Sequence, residues 1–158
     1  MSGAAPEPAA RADLPRLPVT FRPARTRAVL LTVGVLAAAA VTGAGLALPQ
    51  LGPGEKATFA LTGLVFLGVL ALLARPRVVA DRQGLTVVNL TTRRRLAWAE
   101  VLRVNLRPGD PWVYLDLSDG TTLPAMGIQP GIARARAIGD ARTLRALADE
   151  YGSGSRPR

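Results

Sequence analysis

The sequence predicts a membrane α-helical hairpin followed by a small, mainly β domain, an antiparallel split barrel of about six to seven strands with one C-terminal α-helix. Two long uncharged apolar runs predict the hairpin, and a later switch to alternating apolar and polar residues predicts the strands. The chain has 158 residues, of which 49% are hydrophobic, with 20 Lys+Arg against 11 Asp+Glu. Its apolar and charged residues are segregated along the chain, so these averages describe no single region.

The first apolar run, residues 28–48, has 21 residues and contains only Ala, Val, Leu, Gly and Thr. As a helix it reaches about 30 Å, the thickness of a bilayer core. The second run, residues 57–74, has 18 residues and is richer in Leu and Phe. Two prolines and two glycines in residues 49–56 interrupt the helical pattern between the runs. We therefore predict transmembrane helices over 28–48 and 57–74, joined by an extracytoplasmic loop over 49–56.

Two alternatives exist for these runs. Arginines precede the first run and Gly45-Leu46-Ala47 offers small residues for cleavage, as in a secretory signal peptide. However, 21 residues exceed the ~7 to 15 of a signal-peptide apolar region. Two buried helices of a soluble protein would normally keep a polar face, which both runs lack. The membrane hairpin is therefore favoured.

Arginines mark the outer ends of the hairpin, whereas the connecting loop holds one Lys56 beside one Glu55. The flanking arginines are Arg11, Arg16, Arg22, Arg25 and Arg27 before the first run, and Arg75, Arg77 and Arg82 after the second. Because cytoplasmic flanks carry an excess of Lys and Arg, both termini are expected in the cytoplasm of a two-span plasma-membrane protein.

The chain ends are expected to lack fixed structure. Residues 1–27, rich in proline and alanine, predict a disordered basic tail whose arginines lie against anionic headgroups. Residues 152–158 predict a flexible tail. Within the first run, Gly34, Ala38 and Thr42 recur every four residues, a pattern of small side chains that favours close helix packing within the hairpin or between two copies.

Residues 77–151 are predicted to fold in water. Alternation and β-branched residues predict strands over 77–81, 85–90, 94–98, 101–106, 112–118 and 121–125. A helix is predicted over about 132–151, with Asp140 as the N-cap of a shorter helix if Gly139 interrupts it.

Trp98 is followed by Val101 and Val104, a spacing more typical of a small core than of a ligand platform. The predicted core residues are Trp98, Val101, Leu115, Leu117 and Leu144.

Several short motifs resemble those of bacterial PH-like domains. They are Gly84-Leu85 at a strand start, Leu96-x-Trp98-x-x-Val101, the hairpin Leu117-Ser118-Asp119-Gly120, and the terminal helix. More narrowly, the chain resembles the actinobacterial low-molecular-weight protein antigen family, in which a PH-like domain follows two membrane spans. The resemblance implies a membrane-anchored cytoplasmic module and brings no catalytic residues with it.

Two sets of residues are candidate contacts for headgroups or partners. Arg93, Arg94 and Arg95 form one basic cluster, and guanidinium groups suit bidentate phosphate contacts. The simpler interpretation is a solvated turn beside an anionic membrane surface. Trp112 and Tyr114 alternate with apolar residues, so they are expected on the outer face of their strand, where they contact headgroups, cover a sheet edge or meet another subunit.

The composition excludes several functions. The chain has no His and no Cys, and its one Lys56 lies in the predicted outer loop. We therefore expect no catalytic residues, no metal site, no cofactor and no small-molecule substrate. Residues 77–151 carry 11 arginines and eight acidic residues, a net charge of +3, which argues against nucleic-acid binding.

The sequence thus favours an integral membrane protein whose cytoplasmic PH-like module binds a protein partner, or a second copy of itself, at the inner surface of the bilayer. One alternative is a sensor of anionic lipid that uses Arg93, Arg94 and Arg95. Another is a structural component of an envelope complex assembled through the membrane spans.

Overall fold

The computed structural model describes residues 14–131 and 133–153. The chain divides into two units: one consists of Pro23–Pro76, and the other combines the residues on both sides of it, Met1–Arg22 and Arg77–Arg158. The first unit is an α-helical hairpin, and the second contains seven strands and one helix in its described part.

The hairpin consists of helix α1, Ala24–Ala47, and helix α2, Pro53–Leu73. Both helices are long and apolar enough to cross a membrane, judged by length and composition. The α1 helix begins four residues before the predicted span, which places Arg25 and Arg27 in its first turn.

The start of α2 corrects the expected loop over residues 49–56. Pro53 is the first residue of the helix rather than a helix-breaking residue, because the first helical position needs no backbone N–H and suits the fixed φ of proline. The Gly52 N–H donates a hydrogen bond to Glu55 Oε2 at 2.7 Å, which satisfies one amide at the helix start. The non-helical connection is therefore residues 48–52.

Small residues lie where α1 and α2 pack. A Cβ atom added to Gly63 would lie 2.9 Å from the Ala38 carbonyl oxygen and 3.1 Å from Thr42 Oγ1. One added to Gly34 would lie 3.0 Å from Leu67 Cδ1. The predicted small-residue pattern of α1 thus faces α2, and it lets the two helix backbones approach closely.

A strand precedes the hairpin. Strand β1, Val19–Phe21, pairs antiparallel with β2, Arg77–Ala80, with Phe21 opposite Val78. This corrects the disordered tail expected over residues 1–27: residues 19–21 form a strand and α1 begins at Ala24, while residues 1–13 lie outside the described residues. The strand forms because Phe21 is buried in the core and the backbone of β2 offers it an unoccupied edge.

The first sheet has four strands in the order β1-β2-β3-β4, with β3 at Gly84–Val88 and β4 at Arg93–Ala97. Gly84 lies so close to the Leu96 carbonyl oxygen that no side chain fits there. A 3₁₀ turn, Trp98–Glu100, leads to the second sheet. At the start of this turn the Ala97 N–H donates a hydrogen bond to Glu100 Oε2 at 2.6 Å. That sheet has the order β5-β6-β7, with β5 at Val101–Asn105, β6 at Val113–Leu117 and β7 at Thr122–Ala125.

Helix α3, Arg134–Ser153, closes the second unit and packs against β5 and the 3₁₀ turn. It continues through Gly139, so Asp140 does not cap a shorter helix. It also includes residues 152 and 153 of the expected flexible tail, and residues 154–158 lie outside the described part.

Both sheets and α3 contribute side chains to a single core. The buried residues include Trp98, Val101, Leu115, Leu117 and Leu144. Two antiparallel sheets around a core with one terminal helix confirm the predicted fold class.

Candidate functional site

The arginine cluster lies on β4, a strand at one edge of the first sheet, and all three residues are exposed. Arg94 Nη2 lies 3.1 Å from Asp119 Oδ2, and Arg95 Nη2 lies 3.2 Å from Asp81 Oδ2. In the described part of the chain Arg93 has no such partner. Two carboxylates therefore offset two of the three guanidinium charges, and the cluster does not offer three free cations to a headgroup.

Asp119 organises the β6–β7 turn. Its Oδ1 accepts hydrogen bonds from Thr121 Oγ1 at 2.6 Å and from the Thr121 N–H at 2.9 Å. These bonds, with a smaller contribution from Arg94, lower the pKa of Asp119 below its usual value of 3.8. Gly120, at φ +79°, supplies the left-handed conformation that the turn requires. Arg94 thus contributes to a structural turn.

Asp81 organises the β2–β3 turn in the same way. Its Oδ1 accepts hydrogen bonds from the N–H groups of Gln83 and Gly84 at 2.8 and 2.9 Å. Its backbone carbonyl oxygen accepts a hydrogen bond from Trp98 Nε1 at 2.9 Å. Sequence reasoning missed this role, although an Asp two residues before Gln83 is typical of a turn in which the side chain bonds the backbone ahead.

Trp98 lies in the core, with only 3% of its surface exposed. Its ring stacks on that of Tyr151, with centroids 5.8 Å apart and planes at 26°. The indole therefore joins the first sheet to the last turn of α3, and its one polar atom is already bonded to Asp81. This arrangement leaves no free aromatic face for a ligand platform.

Trp112 and Tyr114 are half-buried, and their ring centroids lie 6.5 Å apart. They alternate with Val113 and Leu115, which are fully buried, so they lie on the outer face of the second sheet. Trp112 Nε1 is buried and has no hydrogen-bond partner among the described residues. The two aromatic residues are thus adjacent to each other. They belong to the second sheet, whereas the three arginines of β4 belong to the first.

A groove between β5 and α3 is a further feature that the sequence did not reveal. It consists of two hollows of about 320 and 540 Å³ that share Arg145. Its arginines are Arg103, Arg107, Arg134, Arg142 and Arg145. They are spread over 43 positions of the chain, so only the fold brings them together. We call this feature the β5–α3 groove.

No group of three or more acidic residues in the described ranges 14–131 and 133–153 is arranged to hold a metal ion. The side chains of Asp81, Asp119, Arg94 and Arg95 bond to turn amides or to each other.

Comparisons with known proteins support the fold. Residues 75–147 match the family model described as "Bacterial PH domain". Uncharacterised proteins of Mycobacterium bovis and of two Mycobacterium tuberculosis strains are each 35% identical to this chain over 97 residues. The match covers 61% of this chain and 62% of each relative, so the chain spans less than two thirds of the relatives' length. No solved structure matches the chain.

The second unit therefore has a PH-like fold. The family match begins at residue 75, so it includes neither β1 nor the hairpin. The narrower resemblance to the low-molecular-weight protein antigen family stays an expectation.

Proposed function

We propose that this chain is an integral plasma-membrane protein with two spans and both termini in the cytoplasm. Its PH-like domain is a non-catalytic module that binds another protein, or a second copy of the chain, at the inner membrane surface. The observation that carries the proposal is the pairing of β1 with β2 across the hairpin.

Strand β1 precedes α1, and β2 follows α2. The two strands pair only if both ends of the hairpin lie in the same compartment, which two spans provide and one span does not. Two residues connect β1 to α1, and three connect α2 to β2. Connections this short keep the domain at the membrane surface at all times, so its partners are ones that also reside there.

The pairing also supports retention of the first helix. Cleavage after Ala47, as in a signal peptide, would remove β1 from the sheet and Phe21 from the core. The arginines on both outer flanks then favour the cytoplasm for the domain.

A non-catalytic role follows from the fold and the composition. A PH-like domain is generally an interaction module, and the chain has no His or Cys to act as nucleophile or base. The carboxylates of Asp81 and Asp119 are engaged by turn amides and by arginines.

The two alternatives have less support. A lipid sensor based on Arg93, Arg94 and Arg95 is weakened because two of these side chains face carboxylates. Assembly of an envelope complex through the spans is weakened because Gly34 and Gly63, the small residues suited to a helix interface, already lie at the contact between α1 and α2.

Crosslinking in native membranes tests the proposal. The full chain is compared with a chain in which an unrelated soluble domain of similar size replaces residues 77–153. We expect proteins crosslinked to the full chain to be lost from the replaced chain, as identified by mass spectrometry. An unchanged set of crosslinked proteins would show that the spans, rather than the domain, recruit partners.

A further inference from the structure

Among the residues that the structure describes, no strand pairs with the outer edge of β5, which lies at the end of the sheet order β5-β6-β7. The Leu117 N–H donates to the Thr121 carbonyl at 2.8 Å, on the β7 side of β6. Leu115 lies two residues earlier in β6, so its N–H and C=O also point toward β7. Val104 lies opposite Leu115, so its N–H and C=O point away from β6.

The outward carbonyl of Val104 has a side-chain partner instead of a strand. Arg145 Nη2 of α3 donates a hydrogen bond to this oxygen at 2.6 Å. Arg145 is itself exposed, whereas Val104 is only 2% exposed, so Arg145 and the rest of α3 cover the edge of β5 at this position. A partner backbone therefore reaches the Val104 carbonyl only by displacing the Arg145 side chain.

The β5–α3 groove provides room beside this edge. The smaller hollow, of about 320 Å³, follows Leu102 to Asn105, and the larger, of about 540 Å³, follows the chain from Leu106 to Pro111. Both have α3 as their other wall. A five-residue strand is about 16 Å long, so the groove matches an extended segment of about five residues.

The net positive charge of the groove favours an acidic partner. Five arginines line it against two acidic residues, Asp110 and Asp149, a net charge of +3. Asp110 Oδ2 accepts a hydrogen bond from the Arg107 N–H at 2.8 Å, so this carboxylate is engaged within its own loop. Within the described residues, the guanidinium groups of Arg103, Arg107, Arg134 and Arg142 form no hydrogen bond or ion pair.

This charge disfavours a second copy of the chain as the occupant. Two β5 strands paired edge to edge would bring the groove arginines of both copies together, and like charges across paired strands are destabilising.

Apolar contact is also available, because Leu102 is 55% exposed on β5 and Ile138 of α3 lines the groove. The matching segment is acidic, with apolar side chains between its acidic ones.

We propose that the β5–α3 groove receives an extended acidic segment of a partner protein, which adds to β5 as a further strand. This inference rests on the proposed function and names the surface and the partner chemistry that serve it. The partner's backbone N–H takes the place of Arg145 at the Val104 carbonyl. The released guanidinium then pairs with a carboxylate of the partner.

The test uses the full chain in nanodiscs of neutral phosphatidylcholine and three synthetic peptides. The first alternates Glu and Val. The second has the same sequence with alternate backbone amides N-methylated, which removes the donors of strand pairing and keeps the charge. The third has Lys in place of Glu. Fluorescence anisotropy is expected to show binding of the first peptide, about tenfold weaker binding of the second, and none of the third.

Matched variants locate the site. Arg107→Gln with Arg142→Gln is expected to weaken binding of the first peptide by about tenfold or more. Arg82→Gln with Arg136→Gln removes the same charge from exposed positions outside the groove and is expected to leave binding unchanged. Tryptophan fluorescence confirms that each variant remains folded, since both tryptophans lie in the domain.

Equal binding of the N-methylated peptide would overturn strand addition, and equal losses in both variant pairs would overturn the groove as the site. Absence of binding by all three peptides would also overturn the proposal. So would hydrogen-exchange protection of residues 102–107 by phosphatidylglycerol nanodiscs without peptide, because lipid would then occupy the groove. In each case, crosslinks that depend on the domain would leave the proposed function standing.

Discussion

The side-chain amide of Asn89 donates a hydrogen bond to the Pro124 carbonyl oxygen at 2.9 Å, and thereby joins the two sheets of the domain. Asn89 follows β3 of the first sheet, whereas Pro124 lies in β7 of the second. The Asn89 Oδ1 atom also accepts a hydrogen bond from the Met126 N–H at 3.2 Å. Because the side chain is only 6% exposed, both of its bonds replace hydrogen bonds to water.

Substitution of Asn89 by Ala is expected to lower the free energy of unfolding of the domain by about 1–3 kcal/mol, since it leaves a buried carbonyl and a buried N–H without partners. Denaturant unfolding of the full chain in mild detergent, followed by tryptophan fluorescence, measures the change. Gln83→Ala, at an exposed turn position, serves as the control and is expected to cost less than about 0.5 kcal/mol. Equal effects of the two substitutions would contradict the role of Asn89.

Phe21 tests whether the segment before the hairpin belongs to the domain. Its side chain is 5% exposed and lies in the core that β2, β6 and α3 share. Phe21→Ala is expected to destabilise the domain by about 3–5 kcal/mol through loss of buried area and formation of a cavity. The same fluorescence measurement reports it, with Arg22→Ala as the neighbouring control. An unchanged unfolding midpoint for Phe21→Ala would show that β1 contributes nothing to the fold.

Gly63 tests the packing of the hairpin. A side chain at this position would meet the Ala38 backbone, so Gly63→Val is expected to push α1 and α2 apart. Gly68→Val lies on the same helix, where an added Cβ meets nothing within 4 Å, and is expected to change nothing. Because the chain has no native Cys, spin labels on introduced cysteines at Val35 and Leu64 allow electron paramagnetic resonance to measure the distance. A longer distance in both variants would refute this packing.

Asp119 gives the domain a defined dependence on pH. Its pKa in the folded state lies below 3.8 because hydrogen bonds from Thr121 and the charge of Arg94 stabilise the carboxylate. A lowered acid pKa means that the unfolded state binds the proton first, so stability from this group is present above about pH 4 and is lost as the pH falls through the folded-state pKa. Asp119→Asn is therefore expected to be less stable than the native chain at pH 7, with the difference shrinking below about pH 4.

Denaturant unfolding at a series of pH values measures this difference for Asp119→Asn. Arg94→Gln, which removes the smaller cause of the shift, is expected to show a smaller change with the same sign. A difference that stayed constant from pH 7 to acid would show that the charge of Asp119 is not the source of the effect.

The proposed membrane topology makes a separate prediction. A fluorescent reporter fused after Arg158, and one fused before Met1, are both expected to be active in the cytoplasm, while alkaline phosphatase at either position stays inactive. The strand pairing across the hairpin requires the two ends to give the same result. Reporters active on opposite sides would contradict both the two spans and the β1–β2 pair.

The sequence predicted the fold class because β6 alternates apolar and polar residues, β3 is rich in β-branched residues, and the breaks between strands contain turn residues. It missed β1 because Val19-Thr20-Phe21 is too short to show alternation and is closely followed by Pro23. The roles of Asn89 and of the β5–α3 groove were not predictable, because their partners lie more than 30 positions away. The ion pairs of Arg94 with Asp119 and of Arg95 with Asp81 could not be predicted either, because the sequence does not show which charged side chains the fold brings together.

The insertion of the hairpin between β1 and β2 has a consequence for synthesis. The 55 residues between the two strands take roughly 3–11 s to translate, and β1 stays unpaired during that time. In a chain whose hairpin inserts wrongly, the two strands emerge on opposite sides of the membrane. The edge of β2 then stays open and the space for Phe21 stays empty, which exposes the core to proteolysis. In the proposed two-span topology, completion of the sheet therefore requires correct insertion of the hairpin, and a wrongly inserted chain is expected to be more sensitive to proteolysis.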